Sequence, residues 1–301
     1  MRQLLDRHNL ILIEAAVVER LRRSGKVELH PTLLNAVSIY DEAGRRELER
    51  IFRSYIDIAH KAQLPILLCA PTWRANRKRV LESKVSHDIN RDAIQFMNGL
   101  RPAPGKDEAE IKIGGLTGCK NDCYKPDEGL SAAESEVFHS WQIDRLAEAQ
   151  VDFLTAETLP NVQEGIGIAK AMAATGLPYI ISFVINRNGC VLDGTPLAEA
   201  VSIVDDALAN PPLGYMVNCA HPAFLNAEKQ PSSLFSRLIG YQANASSLDH
   251  ADLDSAEQLH EDEIPAWGNE MLTLNRKYGV KILGGCCGTG EKHLKYMVTN
   301  R

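Results

Sequence analysis

Three cysteines have a pattern that suits metal binding. Cys286 and Cys287 are adjacent within the glycine-rich segment Gly284–Thr289, and Cys219 follows Asn218 well upstream. Thiolates favour zinc over magnesium or calcium, and three protein ligands with an open fourth position are typical of catalytic zinc. The alternative is that these are small buried apolar residues, because free cysteine is among the most buried residue types. The glycine-flanked pair favours the first interpretation, so we predict that Cys219, Cys286 and Cys287 bind one Zn2+ ion.

The adjacent pair places a condition on the backbone. Neighbouring residues on a regular strand point to opposite faces, so Cys286 and Cys287 share a metal only where the chain leaves strand geometry. Gly284, Gly285 and Gly288 permit such a break, because glycine reaches φ values that are closed to other residues. The sequence therefore predicts an irregular turn here.

Alternating strands and helices must position these cysteines. Apolar runs predict strands at 10–13, 65–69, 111–116, 151–155, 178–185, 213–218, 238–243 and 280–283. Amphipathic or capped segments predict helices at 45–61, 76–96, from 131, 161–176, from 195, 265–278 and 289–298. This alternation predicts a single (β/α)8 TIM barrel over residues 1–301, with an open doubly wound sheet as the alternative. The polar loops 101–110 and 246–264 are interpreted as insertions within one domain.

Strand ends bring the cysteines together. Asn218 ends the predicted sixth strand and Cys219 follows it, while Cys286 lies just beyond the eighth. In a parallel barrel the carboxyl ends of the strands gather on the face that carries the active site. Residues far apart in sequence are therefore expected to meet there.

The net charge and the distribution of apolar residues argue against nucleic-acid and membrane partners. The 301-residue chain has a net charge of −6, which gives no support to nucleic-acid binding. No apolar run approaches the roughly 20 residues that span a bilayer, and the polar N-terminus does not suit a signal peptide. We therefore expect a cytoplasmic protein with no membrane partner. Its seven cysteines, an odd number, do not suggest a disulfide framework.

Several segments resemble the zinc-dependent homocysteine S-methyltransferases, from about residue 10 to the C-terminus. The sequence GGCCGT at Gly284–Thr289 resembles the C-terminal zinc motif of that family, and Asn218-Cys219 resembles its middle zinc motif. Ala156–Pro160 (AETLP) resembles the segment whose glutamate helps to bind the substrate amino group. Similar family features are Tyr124-Lys125-Pro126, His139 and Gln142.

The resemblance implies methyl transfer from an activated donor to homocysteine or a related thiol, which gives methionine. Zinc coordination deprotonates a thiol, so the acceptor is expected to fill the open zinc position as a thiolate. Glu157 and Glu14 are predicted to hold its ammonium group, with Asn218 as a third substrate-binding residue. For Glu157 the structural alternative is a carboxylate favoured by a helix N-terminus.

The donor is less constrained. A diffusing sulfonium, S-methylmethionine or S-adenosylmethionine, is the simplest choice, and aromatic faces such as Trp73 or Tyr124 would attract it. A separate corrinoid protein as methyl donor is an alternative partner, and assembly into a homo-oligomer stays open.

One motif departs from the family pattern. The family usually has Asp-Gly-(Gly/Ala)-Met-Gly-Thr after the first strand, whereas this chain has Glu14–Glu19 (EAAVVE). Glu14 can keep the negative charge on a longer side chain, but without the glycines the loop cannot approach a ligand in the same way. This change motivates a second hypothesis, a degenerate zinc-binding barrel that binds a ligand without turnover.

The remaining candidates are interpreted as supporting residues. Cys119 and Cys123 are interpreted as incidental thiols of a mobile active-site loop. Cys69 and Cys190 are interpreted as packing or loop residues. His221 is interpreted as a neighbour of the zinc ligands, because three cysteines already supply them.

Overall fold

The computed structural model describes residues 1–85, 88–102, 109–250, 252 and 260–301. Eight parallel strands pair in chain order and close into a barrel. This closure confirms the predicted (β/α)8 fold and excludes the open sheet. The strands are β1 (Ile11–Ile13), β2 (Ile66–Cys69), β3 (Ile111–Gly118), β4 (Phe153–Leu159), β5 (Tyr179–Phe183), β6 (Gly214–Ala220), β7 (Leu238–Ala243) and β8 (Ile282–Gly285).

Helices alternate with the strands around the barrel. Among the described residues, none of them combines the length and apolar character needed to cross a membrane. The helices are α1 (Arg2–Arg7), α2 (Val18–Ser24), α3 (Glu42–Lys61), α4 (Arg77–Ser83), α5 (Ile89–Asn98), α6 (Ala132–Glu148), α7 (Val162–Ala174), α8 (Leu197–Asp206), α9 (Ser232–Phe235), α10 (Ile264–Tyr278) and α11 (Glu291–Thr299).

Local capping explains where two of these helices begin. Ser131 and Glu134 form the predicted capping box of α6, because each side chain bonds the backbone N–H of the other residue. Asn161 accepts the backbone N–H of Glu164 and starts α7 as predicted. These caps satisfy N–H groups that have no partner within the helix.

The helix predicted at 76–96 is wrong in one respect. The structure has two helices there, because α4 ends at Ser83 and the next residue, Lys84, adopts a left-handed conformation with φ of 58°. Residues 86 and 87, and parts of the predicted loops 101–110 and 246–264, lie outside the described residues. Strand β4 also extends beyond its predicted end, so Glu157 lies within the strand and not after it.

Apolar side chains fill the amino-terminal end of the barrel. Phe153 lies fully buried within it, opposite Gly114, where a Cβ would lie only 2.5 Å from the Phe153 ring. Leu4 and Leu5 of α1 pack against the same interior cluster. The polar side chains described below lie at the opposite, carboxyl end.

Candidate active site

Three thiols meet at the carboxyl end of the barrel. The Sγ atoms of Cys219, Cys286 and Cys287 all lie within 4.8 Å of one another, and this group includes no histidine or carboxylate from the described residues. The structure pairs the sulfur atoms of Cys219 and Cys286 as a disulfide, with their Cα atoms 5.3 Å apart, and both residues are thiols in the reduced form that would bind a metal ion. Cys219 is buried, Cys286 is half-buried and Cys287 is exposed. Three soft donors with no fourth ligand in the described part of the chain fit a catalytic zinc ion.

A bulge in β6 directs Cys219 toward this group. The pairing between β6 and β7 shifts register between Asn218 and Ala220, and Cys219 has a φ of +53°, which is uncommon for a residue other than glycine. Its carbonyl accepts two hydrogen bonds, from Asn244 Nδ2 at 3.0 Å and from His250 Nε2 at 2.7 Å. These donors hold a backbone conformation that would otherwise be unfavourable.

The Cys286–Cys287 turn is tied to the end of β7. The Cys286 N–H donates to the carbonyl of Ala243 at 2.7 Å, and the Cys287 carbonyl accepts the N–H of Ala245 at 2.9 Å. The Thr289 hydroxyl donates to the Cys286 carbonyl at 2.6 Å. Strand geometry ends at Gly285, so the predicted break is confirmed.

The three glycines of this motif have different roles. Only Gly288 has a positive φ, of +80°. A Cβ on Gly284 would lie 2.4 Å from the Ile13 carbonyl oxygen, and one on Gly285 would lie 2.1 Å from Thr289 Oγ1. Glycine is therefore needed for close packing at the first two positions and for backbone conformation at the third, whereas the sequence predicted the conformational reason for all three.

Glu14, Cys69 and Glu157 form a buried cluster in the barrel mouth. Glu14 Oε2 accepts the backbone N–H of Cys69 at 2.6 Å, and the Cys69 thiol donates to Glu157 Oε1 at 3.6 Å. Burial raises the pKa of Glu157 to about 7, although the Cys69 hydrogen bond opposes that rise. Burial, and next the charge of Glu157, raise the pKa of Glu14 well above its usual range. Both effects disfavour the ionised form of Glu14, whereas the sequence predicted a negative charge there.

Cys69 is the member of this cluster that sequence reasoning assigned to packing. It is the last residue of β2 and shares the interior cluster with Leu67, two positions earlier. This alternation was a usable signal, since residues two apart on a strand face the same side.

Asn218 connects the thiols to the acidic cluster. Its Oδ1 accepts the N–H of Thr158 at 2.9 Å and the hydroxyl of Ser182 at 2.7 Å, and its Nδ2 lies 3.5 Å from Cys219 Sγ. Thr158 follows Glu157 in a second bulge and has a φ of +59°. Asn218 therefore holds both bulges, while its contact with substrate stays a prediction.

The two aromatic candidates each have one face covered. The Arg74 guanidinium carbon lies 4.0 Å from the centroid of the Trp73 ring, and the Trp73 indole N–H donates to Thr158 Oγ1 at 2.8 Å. The Tyr124 ring stacks on His250 with centroids 4.8 Å apart. Trp73 thus supports the β4 bulge that follows Glu157.

The remaining candidates do not join the thiol group. Burial raises the pKa of the Cys119 thiol to about 12, and Arg74 donates to the Cys119 carbonyl at 3.1 Å, which ties the loop that also carries Cys123. His221 Nε2 lies 3.4 Å from Asp262 Oδ2 and does not join the thiol group.

Comparison with known proteins places the chain among related sequences. A family model for homocysteine S-methyltransferase matches residues 11–300. Homocysteine S-methyltransferase YbgG of Bacillus subtilis is 24% identical over an alignment of 317 positions with gaps, which covers 97% of this chain and 94% of that protein. Homocysteine S-methyltransferase of Escherichia coli is 27% identical over 168 residues, which cover 55% of this chain and only about half, 53%, of that protein.

Solved structures show the same fold. The Escherichia coli homocysteine methyltransferase MmuM matches with a TM-score of 0.75 in its oxidized form and 0.74 in its metallated form. Sequence identity is 17% in both cases, and the match covers 100% of this chain and 99% of that one.

Proposed function

Because the chain belongs to the homocysteine S-methyltransferase family, we propose that it transfers a methyl group from a sulfonium donor to homocysteine. In this proposal Cys219, Cys286 and Cys287 hold one Zn2+ ion, and the product is methionine. The observation that carries the proposal is the arrangement of the site, in which Asn218 connects three converging thiols to two buried carboxyl groups.

The carboxyl pair suits the amino group of the acceptor. Burial raises the pKa of both Glu14 and Glu157, and the charge of Glu157 raises that of Glu14 further. An ammonium group between them would favour their ionised forms and form charge-assisted hydrogen bonds. The pair thus selects an acceptor that carries a cation near its thiol, as homocysteine does.

The thiol group suits the sulfur of the acceptor. When bound, Zn2+ supplies the electrostatic stabilisation that keeps an acceptor thiol deprotonated at neutral pH. The acceptor sulfur then attacks the donor's methyl carbon in line, so that one carbon–sulfur bond forms as the bond to the sulfonium sulfur breaks. The electron pair of the broken bond stays on the donor, which leaves as a neutral thioether.

A donor screen on protein of known zinc content tests the proposal. Homocysteine is supplied with S-methylmethionine, S-adenosylmethionine or a methylated corrinoid protein, and methionine is measured by mass spectrometry. We expect turnover with a sulfonium and its loss after chelation or in Cys286→Ser. Cys190→Ser is the matched control, because this half-buried loop thiol lies outside the thiol group.

Each outcome separates the alternatives. Methionine formation that survives complete chelation or persists in Cys286→Ser contradicts the zinc mechanism. Activity only with the corrinoid protein identifies that protein as the donor. Tight zinc binding without transfer from any donor favours the ligand-binding barrel.

A further inference from the structure

The chain from the end of β1 through the first turn of α2 packs against the metal-binding turn. The Ala16 N–H donates to Thr289 Oγ1 at 3.3 Å, two residues beyond the cysteine pair. Arg20 Nη2 forms a half-buried ion pair with Glu291 Oε1 at 3.0 Å, at the start of α11. This part of the chain therefore contacts the residues just after the cysteine pair at two places, and a third contact lies closer to the pair.

That third contact is made by Glu19. Its carboxylate accepts the backbone N–H of Gly288, the residue after Cys287. The carbonyl of the same peptide group, which belongs to Cys287, accepts the N–H of Ala245 at 2.9 Å. Both polar groups of the peptide that joins Cys287 to Gly288 are thus held, one from α2 and the other from the segment after β7.

This peptide group is the backbone link on the carboxyl side of Cys287. Cys287 is the exposed member of the thiol group, so surrounding side chains restrain it less than they restrain Cys219. With Gly288 in the left-handed region, the turn also has a backbone freedom that other residues lack. The hydrogen bonds with Glu19 and Ala245 fix the plane of this peptide, and so restrict the backbone rotation on the carboxyl side of Cys287.

We propose that Glu19 is a positioning residue for Cys287, and that the segment Glu14–Glu19 holds the metal-binding turn in place. The inference rests on the proposed function only in requiring that a metal ion binds the three thiols. Groups that orient metal ligands typically change metal affinity by about 10–100-fold when they are removed. Glu19 acts through the backbone and does not touch the metal or the substrates.

Metal affinity tests the inference without reliance on activity. Zinc affinity is measured by competition with a chromophoric chelator for the wild type, Glu19→Ala, Glu19→Gln and Arg23→Ala. The absorption spectrum of the Co2+-substituted protein reports ligand geometry, and the melting temperature of the metal-free protein reports folding. Arg23→Ala is the matched control, because it removes the ion pair that Glu19 makes within α2 but leaves the contact with Gly288.

We expect Glu19→Ala to bind zinc about 10–100-fold more weakly, with a changed Co2+ spectrum and a metal-free protein that stays folded. Glu19→Gln should recover most of the affinity, since its amide oxygen still accepts the Gly288 N–H. Arg23→Ala should stay within about twofold of the wild type, because an ion pair whose arginine is exposed contributes little.

An unchanged zinc affinity and Co2+ spectrum in Glu19→Ala overturns the positioning role and leaves the proposed zinc site standing. A Glu19→Gln protein as weak as Glu19→Ala, or an equal loss in Arg23→Ala, also overturns it. A wild-type protein that binds no zinc overturns both the inference and the proposed function.

Discussion

Asn218 Oδ1 accepts the backbone N–H of Thr158 at 2.9 Å, so a side chain on β6 holds the bulge of β4 from across β5. The same oxygen accepts the Ser182 hydroxyl of β5 at 2.7 Å. Asn218 immediately precedes Cys219, and Thr158 immediately follows Glu157. One buried amide therefore maintains the distance between the candidate metal ligands and the candidate ammonium site.

Replacement of Asn218 by alanine tests this connection. The Thr158 N–H and the Ser182 hydroxyl lose their acceptor in a buried place, so we expect the free energy of unfolding to fall by about 1–3 kcal/mol. The KM for the acceptor should rise, because Glu157 moves with its bulge. Denaturant titration and steady-state kinetics measure the two effects. Ser182→Ala is the control, since it removes one donor and leaves Thr158 bonded; equal effects in both variants contradict the explanation.

Glu157→Gln should make the protein more stable at alkaline pH while it impairs acceptor binding. The carboxyl pKa is about 7 in the folded protein against an ordinary value of 4.5, so the fold holds this proton more tightly than the unfolded chain does. The contribution of this protonated carboxyl to the free energy of unfolding is complete below pH 4.5 and declines as the pH rises to about 7. At pH 8 the glutamine variant should gain on the order of 3 kcal/mol. Denaturant unfolding at pH 5 and pH 8 measures it, and an equal gain at both values rejects the assignment.

Cys69 should set the pH range of acceptor binding. Its thiol hydrogen bond lowers the pKa of Glu157, so Cys69→Ala should raise that pKa further. The pH at which the acceptor KM reaches its low plateau should then move upward. Cys69→Ser keeps a donor and should stay closer to the wild type, which a KM series between pH 6 and 9 resolves. A plateau that does not move in Cys69→Ala would show that the thiol does not tune Glu157.

Gly288→Ala should weaken zinc binding through backbone strain. Its φ of +80° costs about 1–2 kcal/mol for a residue with a Cβ. Gly176→Ala provides a control of similar strain, because Gly176 has a φ of +73°. No atom lies within 4 Å of where its Cβ would be placed. Gly176 also follows α7, far along the chain from the cysteine pair. Both variants should lose similar stability by calorimetry, but only Gly288→Ala should lose zinc affinity by chelator competition. Equal zinc affinity in the two variants contradicts this role.

Much of the architecture follows from sequence patterns. Runs such as Ile66–Cys69 and Tyr179–Phe183 are buried at every position, and continuous apolar runs are what strands covered on both faces require. The convergence of Cys219 with Cys286 and Cys287 then followed from the meeting of strand ends in a parallel barrel.

Other features depend on contacts that no local pattern reveals. The left-handed conformations of Thr158 and Cys219 arise in bulges held by distant side chains, and neither residue type favours positive φ. Lys84 divides a segment whose pattern suggested one helix. The raised pKa of Glu14 depends on burial and on Glu157, which lies three strands away.

The filled amino-terminal end of the barrel has a consequence for turnover. Phe153 lies within that end, and Leu4 and Leu5 close it from below. In the proposed reaction, the donor, the acceptor and both products would therefore enter and leave at the opposite, carboxyl end. If four molecules share one route, the order in which they bind and leave affects the turnover rate. Excess product should therefore slow the binding of both substrates.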